Sequence, residues 1–420
     1  MKKNVAYERT SSSTRSVMIW GVGDIYFIVS VIIAILFGML SLDVQKQLHL
    51  TQTQLGMLGS VFFLCYGLAQ LVGGRLMDSY GPRLTLTVSA LITSSGLFIF
   101  SKAESFTQIL LAQILSGIGL STSYIGAIFL ASAWFSPARF ALISGMTQMS
   151  ANLMAVISII GIVFSGALLL GFQTIMSCLA VTVLCIALLL FIVVRGVPLA
   201  QQNTPLNKKV TLWSDIYELI SIPQFWLGTL YFSTSFGVLL AFSNLWNVPD
   251  QISYGHSLQT ASIMTAMLPL GGTLGATISG WLMGLTKRGS RVAMFYITGM
   301  FIVSAVLIYG PVLSSSPTFL LLALLGFFFG GAILGFPLVG QHIPASLKGT
   351  GFGLIATIAY LLSSLLQYFV GVLLGKSAVL QGGIATIHDF KIALSPLVIT
   401  LAIGCIGSLW LKDTKTISNH

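Results

Sequence analysis

The chain has 420 residues, of which 55% are hydrophobic and 7% charged, with a mean hydropathy of +0.95. A water-soluble domain carries roughly 25% charged residues, so this chain cannot cover a surface in water and lipid must be its solvent. The net charge of +10 would suit nucleic acid only on a basic face or stripe; the basic residues are instead scattered through short polar stretches, which argues against that partner.

A crossing needs about 20 apolar residues. A polar N-terminal stretch leads into an apolar run too long for a signal-peptide core, so that run is expected to be a retained span. In chain order the spans are predicted near Val17–Leu42, Leu55–Met77, Leu84–Ser101, Phe106–Ala131, Phe140–Phe164 and Gln173–Val194. The second set falls near Phe225–Trp246, Leu258–Leu285, Val292–Tyr309, Phe319–Leu338, Phe352–Leu374 and Ile392–Leu411. This predicts an all-α membrane protein of about twelve spans, with a six-helix bundle over 1–195, a linker over 196–223 and a second bundle over 224–420. Within the linker, Leu212, Ile216, Leu219 and Ile220 share one helical face while Asp215 and Glu218 share another, as in a short helix lying on the membrane surface.

Lys and Arg set the orientation. Counted over alternate loops they divide sixteen against four, and the richer side holds both chain ends and the linker. Positive loops face the cytoplasm. The expected location is a bacterial inner membrane, and the loop charges put both ends in the cytoplasm.

The two sets of spans also repeat one another. Gly74-Arg75-Leu76-Met77 is answered by Gly280-Trp281-Leu282-Met283, 206 positions later. Trp20 with Tyr26-Phe27 is answered by Trp226 with Tyr231-Phe232, and Pro137-Ala138-Arg139 by Pro344-Ala345 with Lys348. Membrane proteins built from two halves bind their solutes where the halves meet.

With halves and loops in place, the chain resembles the major facilitator superfamily over nearly its whole length. The motif carrying the resemblance is the loop after the second span, Gly74, Leu76, Asp78, Gly81 and Arg83; the later copy has Gly284 where the acid would stand. The stretch from Trp134 to Gly145 and Leu245-Trp246-Asn247-Val248-Pro249 are similar to segments of bacterial metabolite carriers. The resemblance implies two parallel six-helix bundles that rock about a central site. Departures matter as well. Gln113 stands where the fourth span often carries an arginine linked to proton coupling, and the fifth span lacks the glycine-proline pattern of drug antiporters.

Candidate residues follow from the cost of burying polar groups. Asp24 is the one ionisable residue that can be placed well inside a span, where a carboxylate costs about 2.5–3.5 kcal/mol at mid-membrane. It is either a proton- or cation-coupling site, or a contact for a substrate amine, or an interfacial acid reaching water. Uncharged candidates are Tyr26, Ser30, Tyr66, Gln70, Gln113, Tyr124, Gln148 and Asn152 in the first half. The second half offers Tyr231, Ser235, Tyr360 and Gln367. Each either contacts a solute or bonds one helix to another. Asp78, at a helix end beside Arg75, Arg83 and Arg139, is expected to latch the halves together, with Gly74 and Gly81 shaping the loop. Mid-span Lys and Arg are missing, which disfavours anionic cargo.

Cys65, Cys178, Cys185 and Cys405 lie in apolar stretches without metal-ligand spacing, and the histidines are dispersed. Gly371 to Ser377 is one residue short of a phosphate-binding loop, and Gly351-Phe352-Gly353 opens a membrane helix without a preceding strand. No cofactor, metal or enzymatic activity is expected. The partners expected are a small-molecule substrate, the lipid bilayer and a coupling proton, with the chain acting as a monomer. The function expected is secondary active transport of a small polar metabolite, for which an amino acid, a nucleoside or a siderophore-like compound would fit. A facilitated-diffusion uniporter and a non-transporting receptor on the same scaffold are the alternatives.

Overall fold

The computed structural model describes residues 14–135, 137–194, 212–286, 288–344, 347–380 and 385–413; the side chains at 78, 137, 138, 141, 212–215 and 378–380 are not among those described. Among the described residues, twelve helices are long and apolar enough to cross a membrane. The first six are Thr14–Gln47, Gln52–Met77, Ser79–Ser101, Phe106–Trp134, Leu142–Phe164 and Ala167–Val193. The second six are Pro223–Ser253, Leu258–Thr286, Gly289–Tyr309, Ser315–Gly340, Lys348–Ser377 and Ile387–Ser408. An even number of crossings returns Asp413 to the face from which Thr14 starts. Asp413 accepts from the backbone N–H of Ser290 at 2.9 Å and from its hydroxyl at 2.6 Å. That side is called the terminal face below.

Local chemistry sets several helix ends. Thr51 and Gln54 form a reciprocal capping box at the start of the second span, and Ser105 caps the fourth. The tight passage from second to third span turns at Gly81, whose φ of 79° suits a residue without a Cβ. A helix spans Leu212–Ile220, and its Leu219 is buried against the second half.

Two spans are broken in their interiors. The fourth divides into Phe106–Leu120 and Ser123–Trp134, and the tenth passes through a 3₁₀ segment, Gly330–Leu334, between Ser315–Phe329 and Gly335–Gly340. Pro337 contributes to the second break because it has no N–H to offer the preceding turn. Non-helical backbone at membrane depth must have its polar groups met by other protein atoms. Both breaks meet that demand alike. Tyr26 donates to the Gly119 carbonyl at 2.9 Å, and Tyr231 donates to the Gly331 carbonyl at 2.6 Å.

The seventh span departs from expectation. It was expected to end near Trp246, but a π-helical turn, Phe242–Trp246, carries it on to Ser253. Pro249 reads as a stop in the sequence, yet the widened turn ahead of it takes up the distortion. Asp250 is thereby inside a span, 3% exposed, and accepts from Gln251 at 3.0 Å. Asp250 lies three residues before the end of that span, so among the described acids Asp24 remains the one well inside a span.

Candidate functional site

The halves meet along two helix pairs. Near the opposite face, the second and eleventh spans press backbone to backbone. A Cβ on Gly56 would lie 2.9 Å from the Cα of Gly371, and Thr53 donates to the Gly371 carbonyl at 3.3 Å. That close approach explains the glycines of the phosphate-loop look-alike. Further in, the Ser60 and Ser364 hydroxyls share a 2.9 Å hydrogen bond, and Thr357 donates to the Gly67 carbonyl at 3.2 Å. A methyl on Gly67 would touch the Tyr360 Cβ at 2.9 Å, whereas one on Gly74 or Gly353 would meet open space. The two spans thus touch from the opposite face to mid-depth and part toward the terminal face. On the other side of the seam, Asn152 of the fifth span donates to Thr273 of the eighth at 3.2 Å. Gln148 lies one turn nearer the terminal face and is exposed, its amide 3.5 Å from Asn152.

Rings gather where the spans separate. Tyr66 and Tyr360 have centroids 4.6 Å apart across the seam, and Phe63 stacks on Tyr360 at 6.0 Å. Phe236 of the seventh span meets Tyr360 edge-on at 5.5 Å, and Phe27 of the first lies 5.0 Å from Tyr124 of the fourth. Tyr124, Phe236 and Tyr360 are half-buried.

Asp24 sits one turn toward the terminal face from Phe27 and is 6% exposed. Its Oδ2 accepts from the Ser150 hydroxyl at 2.8 Å, while Oδ1 has no partner within the chain. Gln70, one turn beyond Tyr66 in the same direction, is likewise buried with Oε1 unpartnered. Among the described residues, every Lys and Arg lies in a loop or within about two turns of a span end.

The other candidates are placed as follows. Tyr26 and Tyr231 are fully buried inside their own halves, with hydroxyls committed to the helix breaks; Tyr26 also shares a 3.0 Å hydrogen bond with Thr93. Ser30 donates to the Phe27 carbonyl at 2.7 Å and accepts from Ser123 at 3.0 Å. Gln113 reaches the Leu58 carbonyl at 3.4 Å, and Ser235 donates to the Tyr231 carbonyl at 3.0 Å. Gln367 is buried beside Gly59 at the closed part of the seam and lies 3.5 Å from Ser363. The structure thus puts Tyr360 among the rings at the seam, Tyr124 against Phe27 and Asp24 one turn from Phe27, and leaves Tyr26, Gln113, Tyr231 and Ser235 in intra-half bonds.

At the terminal face, Arg83 donates to the Phe191 carbonyl at 2.7 Å and lies 4.2 Å over the Phe191 ring, a contact inside the first half. Arg75 and Arg139 are exposed. The Asp78 side chain, on which the latch expectation rests, lies outside the described residues. Ring convergence was the signal that sequence reasoning passed over: Phe236 is a plain apolar letter until its partners from other spans are known.

Comparison with known proteins agrees with this architecture. Residues 25–367 match the family model described as Major Facilitator Superfamily. The probable nitrate/nitrite transporter NarK2 of Mycobacterium tuberculosis is 23% identical over 377 residues, spanning 88% of this chain and 90% of the relative. The probable L-galactonate transporter of Escherichia coli is 23% identical over 401 residues, spanning 88% and 83%. Among solved structures, a bacterial homologue of the human lysosomal transporter Spinster, inward-facing and occupied, superposes with a TM-score of 0.76 at 15% identity, covering 95% of this chain and 97% of that one. The nucleoside transporter NupG gives 0.74 at 14% identity, covering 95% and 100%. Twelve apolar spans in two halves, a seam lined by both, and a family model matching most of the length make this chain an integral membrane protein of the Major Facilitator Superfamily of transporters.

Proposed function

We propose that this protein is a secondary active transporter that moves a small polar solute across the cytoplasmic membrane by rocking its two halves about the seam. The observation that carries this reading is the seam itself, joined near the opposite face and parted toward the terminal face, with a carboxylate and a ring cluster at the apex of the opening. Reversing which end is joined would expose the same residues to the other side, which is alternating access. Among the described residues, eight Lys and Arg lie toward the terminal face and four toward the other, so that face is the cytoplasmic one and the conformation is inward-facing.

Asp24 is the leading coupling residue. A proton on its carboxylate lowers the cost of holding it among apolar groups, so loading and release can follow the proton gradient. Tyr124 and Tyr360 line the solute site with it, while Asp78, with Gly74, Arg75, Gly81, Arg83 and Arg139, forms the cytoplasmic gate in the alternate state. The protein works as a monomer, because each chain holds both halves. NarK2 and the galactonate transporter are named for anions, but a buried anion needs a compensating cation. The described spans place none at the seam, so neutral, zwitterionic or cationic cargo fits better. A facilitated-diffusion uniporter is the second reading, favoured by the uncharged Gln113 in the fourth span.

Purified protein in proteoliposomes tests this directly. Counterflow of a solute identified by thermal-shift screening is expected, since a bound solute raises apparent stability, and its uptake should shift the pH of the lumen. Exchange without proton movement would leave the uniporter. Binding without exchange would leave a receptor.

A further inference from the structure

The chemistry around the seam narrows the cargo beyond the reading above, on which this inference rests. Rings from both halves meet across the seam, Tyr66 and Tyr360 with centroids 4.6 Å apart and Phe236 edge-on to Tyr360, while Tyr124 packs beside Phe27 within the first half. Aromatic faces are electron-rich and attract cations. Two of the unpartnered polar atoms near them can only accept, while the Thr122 and Ser233 hydroxyls, also unpartnered, can donate or accept. The first span runs away from the terminal face and the second runs back, so Asp24 and Gln70 both lie one turn toward the terminal face from their rings, Phe27 and Tyr66. On each residue a buried acceptor oxygen, Asp24 Oδ1 and Gln70 Oε1, has no donor within the chain. A buried acceptor without a donor is costly. What completes this set is a ligand that brings N–H groups and a positive charge.

We propose that the solute is a primary or secondary organic ammonium ion, its N–H groups donated to Asp24 and Gln70 and its carbon body held against Tyr66, Tyr124, Phe236 and Tyr360. A quaternary ammonium has no N–H and leaves both oxygens unpaired. A neutral alcohol offers one donor and no charge for the carboxylate. An organic anion meets Asp24 with like charge and finds no Lys or Arg at this depth among the described residues.

Four probes with one carbon skeleton separate these cases: phenethylammonium, its N,N,N-trimethyl analogue, 2-phenylethanol and phenylacetate, with putrescine and histamine as further ammonium probes. Binding to the full chain in detergent is read by thermal shift, and exchange by counterflow in proteoliposomes. The ammonium probes are expected to bind at least about tenfold more tightly than the trimethyl, neutral and anionic ones. Asp24→Asn and Gln70→Leu, checked as monodisperse protein, should each weaken ammonium binding about tenfold, and Tyr360→Leu should weaken it more than Tyr360→Phe. Equal or tighter binding of phenylacetate or 2-phenylethanol overturns the proposal, as does wild-type ammonium affinity in a folded Asp24→Asn protein. Exchange of a neutral or anionic solute without any ammonium probe sinks the ammonium assignment and leaves transport standing. No exchange by any charge class sinks the transport reading with it.

Discussion

The two halves solve the same structural problem in the same way and then diverge in chemistry. Each has an interior break in one span, and each meets a freed carbonyl there with a buried tyrosine, Tyr26 to Gly119 and Tyr231 to Gly331. The acids are not matched. Asp24 of the first half lies near the apex of the seam opening with one oxygen unpartnered, whereas Asp250 of the second half lies near the opposite face, bonded to Gln251. Duplication kept the scaffold, while the in-span carboxylate with an unpartnered oxygen belongs to one half. The sequence repeat already hints at this asymmetry, since the second motif copy has Gly284 where the first has Asp78.

The largest expected effect tests that one-sidedness. Asp24→Asn should lower uptake by about tenfold or more, equivalent to at least ~1.4 kcal/mol of transition-state stabilisation. It should also abolish the response of uptake to an imposed proton gradient in proteoliposomes. Uptake that keeps its proton response without this carboxylate would remove Asp24 from the coupling role. Asp250→Asn, measured beside it, should stay within about threefold of wild type, or ~0.7 kcal/mol; an equal loss would make the two acids functional counterparts.

Next in size is the closed end of the seam. A leucine at Gly371 would collide with Gly56 and hold the second and eleventh spans apart. A thiol reagent that cannot cross the membrane should then label a cysteine placed at Ser364 from the opposite face, where the otherwise unchanged protein is protected. Unchanged labelling would mean that the Gly56–Gly371 contact does not seal that face.

The tyrosine pins should behave as a matched pair. Interhelical hydrogen bonds in membranes average about 0.6 kcal/mol, with values up to about 1.7. Tyr26→Phe and Tyr231→Phe should each lower stability by an amount in that range, measured by unfolding in detergent. A loss confined to one of them would show that only one break depends on its tyrosine. The smallest effect is expected from Gln148→Ala, because Gln148 is exposed and its only named bond is long. Uptake within about twofold of wild type, or ~0.4 kcal/mol, is the expectation.

Most of the fold was legible in the sequence because lipid permits few solutions. Backbone groups must be satisfied within the protein, so apolar length alone located all twelve spans, although the seventh ends at Ser253 rather than Trp246. The seventh span runs on because a π-helical turn carries the helix past Pro249. The site was less legible. Asp24 stands out as a charge in an apolar run, and Tyr124 and Tyr360 were named for polarity. Yet Tyr26 and Tyr231, equally prominent as letters, turn inward to satisfy helix breaks that no local pattern announced.

The amino-acid sequence by itself determined the solvent, the number of crossings, the duplication and the charge asymmetry of the loops. Each of these is a sum over residues or a period along the chain, and hydrophobic transfer acts on such sums. The tertiary structure alone decided which polar groups were spent on scaffold and which stayed unpartnered near the seam. Hydrogen bonding and ring contact act over a few ångströms between residues far apart in the chain, as between Tyr66 and Tyr360, and that proximity exists only after the halves have packed.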